Sequence, residues 1–419
     1  MAIPAAILFC LRAISVGGAE IVKHAWLRYL HTSSLSNKVL VGAVPDCASI
    51  CRHSLLSWHQ ARRNHSIVVD AQTQQAASAV YDNPQEFKDR LILVDAMSMV
   101  FRTHYAVKED SRLRNQMGED TTIVHSLVTQ IISLLHLQPR PTHVAVVFDS
   151  IGGRRDGAKG HGNAAHVMNF RHELFPGYKA QRREVPQQII DARPRLYEVL
   201  EAMGITAMDV TGVEADDVIG TLASRALQQD MAVVIVSPDK DFCQLLQPGL
   251  QILRPPKKDE RAFVPGRFVS YNEGAFLQET GLQPHQWVDM MALAGDTADN
   301  IPGVNKIGVK TAPKLIAAAG SLDALLANPE VAETVPRGKS LSKILASPEG
   351  RNAANLARIL VTIQTDCDYP PVRAPLSELK LIAPPDAQKK KALALFQELD
   401  LTTSARSLQR FWNALELEN

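Results

Sequence analysis

The 419-residue chain is short of several things, and each shortage closes off a class. Five cysteines in that length make no disulfide framework, which predicts a reducing compartment. Cys47 and Cys51 have no second Cys or His pair at zinc-finger spacing, so no structural zinc is expected there. No apolar run reaches the ~20 residues of a membrane-spanning helix, because Arg12 interrupts the longest early one, Ala5 to Leu11. There is no repeat of solenoid period and no strong low-complexity tract. With 46% apolar and 21% charged residues, the chain is neither mostly disordered nor collagen-like.

Net charge is also nearly absent, at +1, but this is an average of unlike halves. Residues 1–65 carry Arg12, Lys23, Arg28, Lys38, Arg52, Arg62 and Arg63 against Glu20 and Asp46, a net +5 that leaves −4 for the rest. This leader is rich in Ser, Arg and Ala and has an amphipathic stretch around His24–Leu30. That composition predicts a transit peptide for mitochondrion or chloroplast, with a disordered basic arm as the plainer alternative. Residues 66–87 read as a polar linker.

Three short apolar runs, Leu91–Val94, Val144–Phe148 and Val233–Val236, have the character of buried parallel strands. Each is followed closely by an aspartate: Asp95, Asp149 and Asp239. Amphipathic stretches such as Ile123–Leu137 and Gln187–Met203 lie between them. The alternation predicts an α/β domain with a mostly parallel sheet, whose ligands collect at the carboxyl ends of the strands. After about residue 285 strand-like runs stop and helical patterns continue to the end.

Further acids accompany the strand ends: Glu214, Asp216 and Asp217 before an apolar helix, Asp241 after Asp239, and the Asp296/Asp299 pair. Singly, an acid after a strand is a turn residue, and an acid before a helix is a cap. Jointly, nine carboxylates on one sheet edge would repel one another unless cations neutralise them. Oxygen ligands without His or Cys point to Mg²⁺, with Mn²⁺ as the alternative. Two such ions in one carboxylate site serve phosphodiester displacement.

Two basic elements suit a polyanion. Residues 151–183 hold Arg154, Arg155, Lys159, Arg171, Lys179, Arg182 and Arg183 with Phe170, Phe175 and Tyr178 interleaved. A solvated charged loop is the ordinary alternative. The second is Gly303–Gly308 with Lys306, followed by Lys310 and Lys314, in a stretch free of acids from Ile301 to Leu322. Its apolar positions make it a hairpin between helices whose amides can approach phosphates.

With these residues assembled, the chain resembles the 5′→3′ exonuclease / flap endonuclease family, and within it the 5′-nuclease domain of bacterial DNA polymerase I and its plant organellar relatives. The resemblance covers about 88–419 and rests on LILVDAMSMVFRTHYA, THVAVVFDS, NFRHELFPGYKAQR, GVEADDVIG, VSPDKDFCQLL and MALAGDTADNIPGVNKIGVKTA, in the family's order. It implies a PIN-like catalytic domain over 88–264 with a helical arch. A helical region over 265–419 would hold a helix–hairpin–helix, SAM-like element. By this resemblance Asp95, Asp149, Glu214, Asp216 and Asp217 match a first metal site, and Asp239, Asp241, Asp296 and Asp299 a second. Lys179, Arg182 and Arg102 match basic residues near the scissile phosphate. Arg171, Tyr178, Gly303, Lys306, Gly308 and Lys310 fall on DNA-binding elements, with K⁺ at the hairpin. The implied substrates are DNA 5′ ends and flaps and RNA–DNA primers. The implied protein is a monomer serving an organellar DNA polymerase. No polymerase-like segment follows the Phe411–Trp412 helix, which predicts a nuclease that stands alone.

The sequence departs from the family where His125–Ser126–Leu127 replaces Tyr-Gly-Phe, where Val213 replaces Tyr, and in an added segment at 151–168. A branched-DNA-binding protein without catalysis, and a phosphatase with an Asp239 or Asp241 nucleophile, remain as other readings.

Overall fold

The computed structural model describes residues 87–150, 169–257 and 268–418. The leader, the linker up to residue 86 and the 151–168 insertion, with Arg154, Arg155 and Lys159, lie outside the described residues. All of the described residues fall in one compact unit, Asp70–Asn419.

Its centre is a six-stranded sheet: β1 (Asp89–Asp95), β2 (His143–Val147), β3 (Thr206–Met208), β4 (Met231–Val236), β5 (Leu250–Arg254) and β6 (Val269–Tyr271), in spatial order β3-β2-β1-β4-β5-β6. The first five are parallel and β6 runs antiparallel to β5. The expected strands are β1, β2 and β4, which form the middle of the sheet. The other three carry weaker signals. A three-residue strand such as β3 or β6 is too short to show a period, and it exists because a neighbour offers backbone partners.

Successive side chains point to opposite faces of the sheet, and both faces are covered. Leu91, Leu93, Ala145, Val147, Val233 and Ile235 enter one core with the helix Ala215–Leu227 and the helices from Glu273 to Val361. Ile92, Val94, Val144, Val146 and Val234 enter the other, with the helices Ala96–Ala106, Thr122–Leu135 and Gln187–Met203. This two-sided cover explains why the strands read as unbroken apolar runs.

Two observations bear on the expected boundary at 264/265. β6 follows it and pairs with β5, so a cut there would divide the sheet. The helices Asp386–Glu398 and Thr402–Glu418 do not stay with the helical region, because Phe396, Leu408 and Trp412 pack into the second core.

In the order β3-β2-β1-β4, successive strands are laid down in one direction from β1 to β3 and in the other from β4 onward. The switch lies between β1 and β4, where a parallel sheet opens a crevice at its carboxyl edge.

Close to that edge the helix Ala215–Leu227 meets the segment 360–367. Gly220 permits the approach: a Cβ there would lie 2.6 Å from Ile363 Cγ2 and 2.9 Å from Gln364 O. Gly→Ala in a helix interior ordinarily stabilises by ~1 kcal/mol. Gly220→Ala should instead destabilise by ~1–3 kcal/mol, the range for overpacking. Urea denaturation measures it, and a gain in stability would contradict the close contact.

Candidate active site

The acids are aimed by the caps they make. Asp95 ends β1 and caps the helix Ala96–Ala106, accepting the Ser98 amide at 3.1 Å. Its other oxygen accepts the Ser237 hydroxyl at 2.7 Å. Asp149, two residues beyond β2, accepts the Ala215 amide at 2.8 Å, while Arg193 Nη1 donates to the Asp149 carbonyl at 2.5 Å. Glu214 is the N-cap residue of the helix Ala215–Leu227, and Asp216 and Asp217 are in its first turn. Asp239 caps the 3₁₀ turn Lys240–Leu245 through the Asp241 amide at 2.9 Å. Asp296 follows the helix Trp287–Ala294, accepts the Ala298 amide at 2.8 Å, and exchanges backbone bonds with Ile301 at 3.0 and 2.7 Å.

The structure brings eight of the nine expected acids into mutual electrostatic reach. Burial, opposed by its hydrogen bonds and helped by Asp149, pushes the Asp95 carboxyl up to about 6. Asp216 is raised by burial and then by Asp239, Asp95 and Asp149. Asp149 is raised chiefly by burial. Asp239 is raised by burial and by Asp299, and Asp241 by burial and by Asp239, Asp296 and Asp299. Burial would also raise Glu214, but Lys179 and then Arg171 override it and hold the carboxyl at about 2.

The donor set suits hard divalent cations, being all carboxylate, crowded and short of positive charge. Asp241 Oδ1 is buried with no hydrogen-bond partner, as an oxygen meant for a ligand would be. Yet no three of these groups, among the described residues, stand in ready ligand geometry. Three basic side chains, Lys179, Arg182 and Lys240, explain this. Lys179 Nζ lies 2.5 Å from Glu214 Oε1 and 3.6 Å from Asp299 Oδ2, Arg182 pairs with Asp299 Oδ1, and Lys240 reaches Asp296 Oδ2 at 3.0 Å. These ammonium and guanidinium groups draw the carboxylates toward themselves.

Three expected site residues, Asp217, Arg171 and Tyr178, have surroundings other than those assigned to them. Asp217 faces away from the cluster. Both of its oxygens are held by Arg171, at 2.7 and 2.8 Å, and the Gln364 amide donates to Oδ1 at 2.9 Å. Arg171 is not a DNA contact. It is 2% exposed, and its other bonds go to Glu214, Leu360 O and Thr362 O, which occupies the whole guanidinium fork. Tyr178 offers no face for a base, since it is buried and its hydroxyl donates to Glu214 at 3.1 Å and Asp299 at 3.4 Å. Arg102 is exposed, seven residues along the helix from Asp95, in a groove with Thr103, His125 and Ser126.

The hairpin divides as well. Val304 and Ile307 are buried, and Lys306, Gly308 and Lys310 are exposed. Gly308 has open space around it, whereas a Cβ on Gly303 would lie 2.4 Å from Ala294 C. Gly303 is thus a packing glycine against Gly295, which has a φ of 73°. This contact and the Val304 amide to Leu293 O, at 2.9 Å, set where the Asp296–Asp299 loop stands.

Three supporting residues carried no sequence signal of their own: Ser237, Arg193 and Asn300. Asn300 has a φ of 57° and its amide donates to Gly177 O at 2.6 Å, tying the acidic loop to the segment that carries Tyr178 and Lys179.

Two consecutive family descriptions account for most of this architecture. The N-terminal resolvase-like domain of 5′-3′ exonuclease matches residues 90–273, and its C-terminal SAM fold matches 282–387. The chain belongs to the 5′-3′ exonuclease family. DNA polymerase I of Bacillus caldotenax is 34% identical over 312 residues, 74% of this chain and 31% of that protein. Thermostable DNA polymerase I of Thermus aquaticus is 33% identical over 292 residues, 69% of this chain and 31% of that protein. The chain thus spans about a third of the length of the polymerases it matches. Among solved structures, T5 5′-exonuclease with bound zinc aligns at 19% identity and a TM-score of 0.48, covering 74% of this chain and 99% of that one. Flap endonuclease-1 from Methanococcus jannaschii aligns at 15% identity and 0.45, covering 79% and 94%. As a 5′-3′ exonuclease family member the chain is in a class of hydrolases.

The raised Asp95 carboxyl has a consequence for stability. Between its ordinary value of 3.8 and about 6, the unfolded chain ionises while the folded one stays protonated. Stability from this group is full below 3.8 and falls as pH rises through 6. In metal-free buffer Asp95→Asn should therefore gain on the wild type by ~1–3 kcal/mol between pH 4.5 and 7. Mg²⁺ at pH 7 should remove that advantage by stabilising the wild type. Paired denaturation curves across pH test this, and a constant difference would refute it.

Proposed function

We propose that this 5′-3′ exonuclease family member hydrolyses phosphodiesters at 5′ ends and flaps of DNA with divalent metal, and also removes RNA primers on DNA. The observation that carries the reading is the set of eight carboxylates at the switch edge of the sheet, with the Lys179 ammonium and Arg182 guanidinium set among them. Asp95, Asp149, Glu214 and Asp216 would hold one cation, and Asp239, Asp241, Asp296 and Asp299 a second. Mg²⁺ is the natural ion and Mn²⁺ its substitute. When bound, such ions acidify water and take up charge on the oxygens of the displacement.

The chain's own residues do the rest. Backbone amides hold Asp95, Asp149 and Asp239 beyond the strand ends, while Glu214, Asp296 and Asp299 would exchange their lysine and arginine partners for a cation. Arg171 fixes Glu214 from behind through Oε2. Lys179 and Arg182 lie against the carboxylates, where an incoming phosphate would take over their charge and be oriented by it. At the hairpin, Lys306, Lys310 and the open backbone at Gly308 would meet duplex phosphates, with K⁺ as a bridging ion.

The protein acts as a monomer in this reading, on ends left by an organellar DNA polymerase. The basic leader supports import into mitochondrion or plastid. Residues 1–65 fused to a fluorescent protein should direct it to one or both organelles, and a cytosolic signal would refute the assignment.

For the chemistry the test is single-turnover cleavage of a 5′-labelled flap across a Mg²⁺ titration. The wild type should release 5′ products with Mg²⁺ and none with chelator. Asp149→Asn should lose several powers of ten in rate while binding DNA in Ca²⁺ as tightly or more so, because a carboxylate that repels phosphate has been neutralised. Binding without cleavage in the wild type would favour the non-catalytic reading, and full activity in Asp149→Asn would end the nuclease one.

A further inference from the structure

The strand-end acids Asp95 and Asp239, one from each group, are joined by a buried neutral side chain, Ser237. Ser237 follows β4 directly and is 0% exposed. Its amide donates to Leu253 O at 3.1 Å, which ties its backbone to β5. Its hydroxyl oxygen accepts the Asp239 amide at 3.0 Å. An oxygen that accepts from an N–H must send its own proton elsewhere, and the Asp95 carboxylate lies 2.7 Å away at Oδ2. The direction of both hydrogen bonds is therefore fixed: amide to hydroxyl, hydroxyl to carboxylate.

We infer that Ser237 is a positioning residue that sets the spacing between the Asp95 and Asp239 groups of the carboxylate cluster. The inference rests on the proposed use of these groups as cation ligands. Asp95 is gripped at both oxygens, by Ser98 N on one side and Ser237 Oγ on the other, so its plane is determined. Asp239 is gripped through its own amide by the same hydroxyl. Asp95 ends β1 and Asp239 lies three residues beyond β4, the neighbouring strand on the other side of the topological switch. Asp216 is repelled by both of them, so the edge is under electrostatic pressure to spread.

The chemistry of the linker matters. A Lys or Arg at this point would relieve the repulsion but would compete with a divalent cation for the same oxygens. A hydroxyl adds no charge. It spends one lone pair of Asp95 and the Ser98 amide another, which leaves each oxygen a lone pair for a cation, and it links the strand ends whether cations are present or not. An ordinary turn hydroxyl, which accepts an amide two residues on, would do only half of this.

Removing the hydroxyl should therefore weaken cation binding and turnover while DNA grip is kept. In Ser237→Ala, Mn²⁺ affinity by titration calorimetry should fall about 10- to 100-fold, the usual cost of losing a group that orients a metal ligand. Single-turnover flap cleavage should fall comparably at fixed Mg²⁺, and the dissociation constant for flap DNA in Ca²⁺ should stay within about twofold of the wild type, because no phosphate contact is lost. Ser237→Thr, which keeps the hydroxyl, should restore Mn²⁺ affinity and rate together. If Ser237→Ala does not fold, Ser237→Cys, close in shape and a weak donor, carries the same expectation. Unchanged Mn²⁺ affinity and rate, with only a lower melting temperature, would reduce Ser237 to a turn residue and overturn the inference, as would failure of Thr to rescue. A wild type that binds Mn²⁺ but cleaves nothing would sink the nuclease reading and leave the calorimetric arm to decide this one. A wild type that binds no Mn²⁺ would overturn both.

Discussion

Carboxylates crowded at the carboxyl edge of a parallel sheet repel one another, and the repulsion is strengthened by their burial. Asp95, Asp149, Asp216, Asp239 and Asp241 are all pushed up, with burial the first cause in each. A fold can keep such a cluster only if something else holds the strand ends in place. Here that is the two-sided core. Apolar side chains cover both faces of β1, β2 and β4, and amides at helix starts take up part of the hydrogen-bonding capacity of Asp95 and Asp149. The sheet's rigidity therefore tolerates a charge arrangement that a loop would relax.

The positive charges near the cluster divide into two kinds. Arg171 is permanent. Its fork is saturated by Asp217, Glu214 and two backbone carbonyls, and it ties the helix Ala215–Leu227 to the segment after Val361. Burying a guanidinium costs heavily unless it is paired in this way. Lys179 and Arg182 are of the other kind, since they come from a short segment with a residue in the left-handed region, Lys179 at φ 54°, and Arg182 stays partly exposed. Their partners Glu214 and Asp299 belong to different acid groups.

The helical region reaches the site by two routes. One is the Asp296–Asp299 loop, whose place follows from the Gly295–Gly303 backbone contact and from Asn300 bonded to Gly177. The other is the segment 360–367, clamped by Arg171, by Gln244 to Val361 O at 3.0 Å and by the close face of Gly220. The Gly303–Gly308 hairpin and the loop that carries Asp296 and Asp299 are consequently packed as one body. A change in the hairpin is felt at Asp299 through a few backbone contacts.

The sequence alone determined the strands that build the middle of the sheet, the acids that follow them and the ordered blocks of the family. Those signals are local: an apolar run of strand length, an aspartate at its end, a glycine-bounded hairpin with Val304 and Ile307 inward. It overreached where charge was taken for function. Arg171, Tyr178 and Asp217 have the residue types of a nucleic-acid and metal site, but their partners lie far along the chain: for Arg171, 43 residues off at Glu214 and 189 at Leu360. The sequence was also silent on Ser237, because a serine before Pro238 is an unremarkable turn residue until β1 lies beside it. Which carboxylates face the crevice, which are spent on internal arginine, and how the two acid groups are spaced are all decided by contacts between strands and helices distant in sequence. Only packing brings those together.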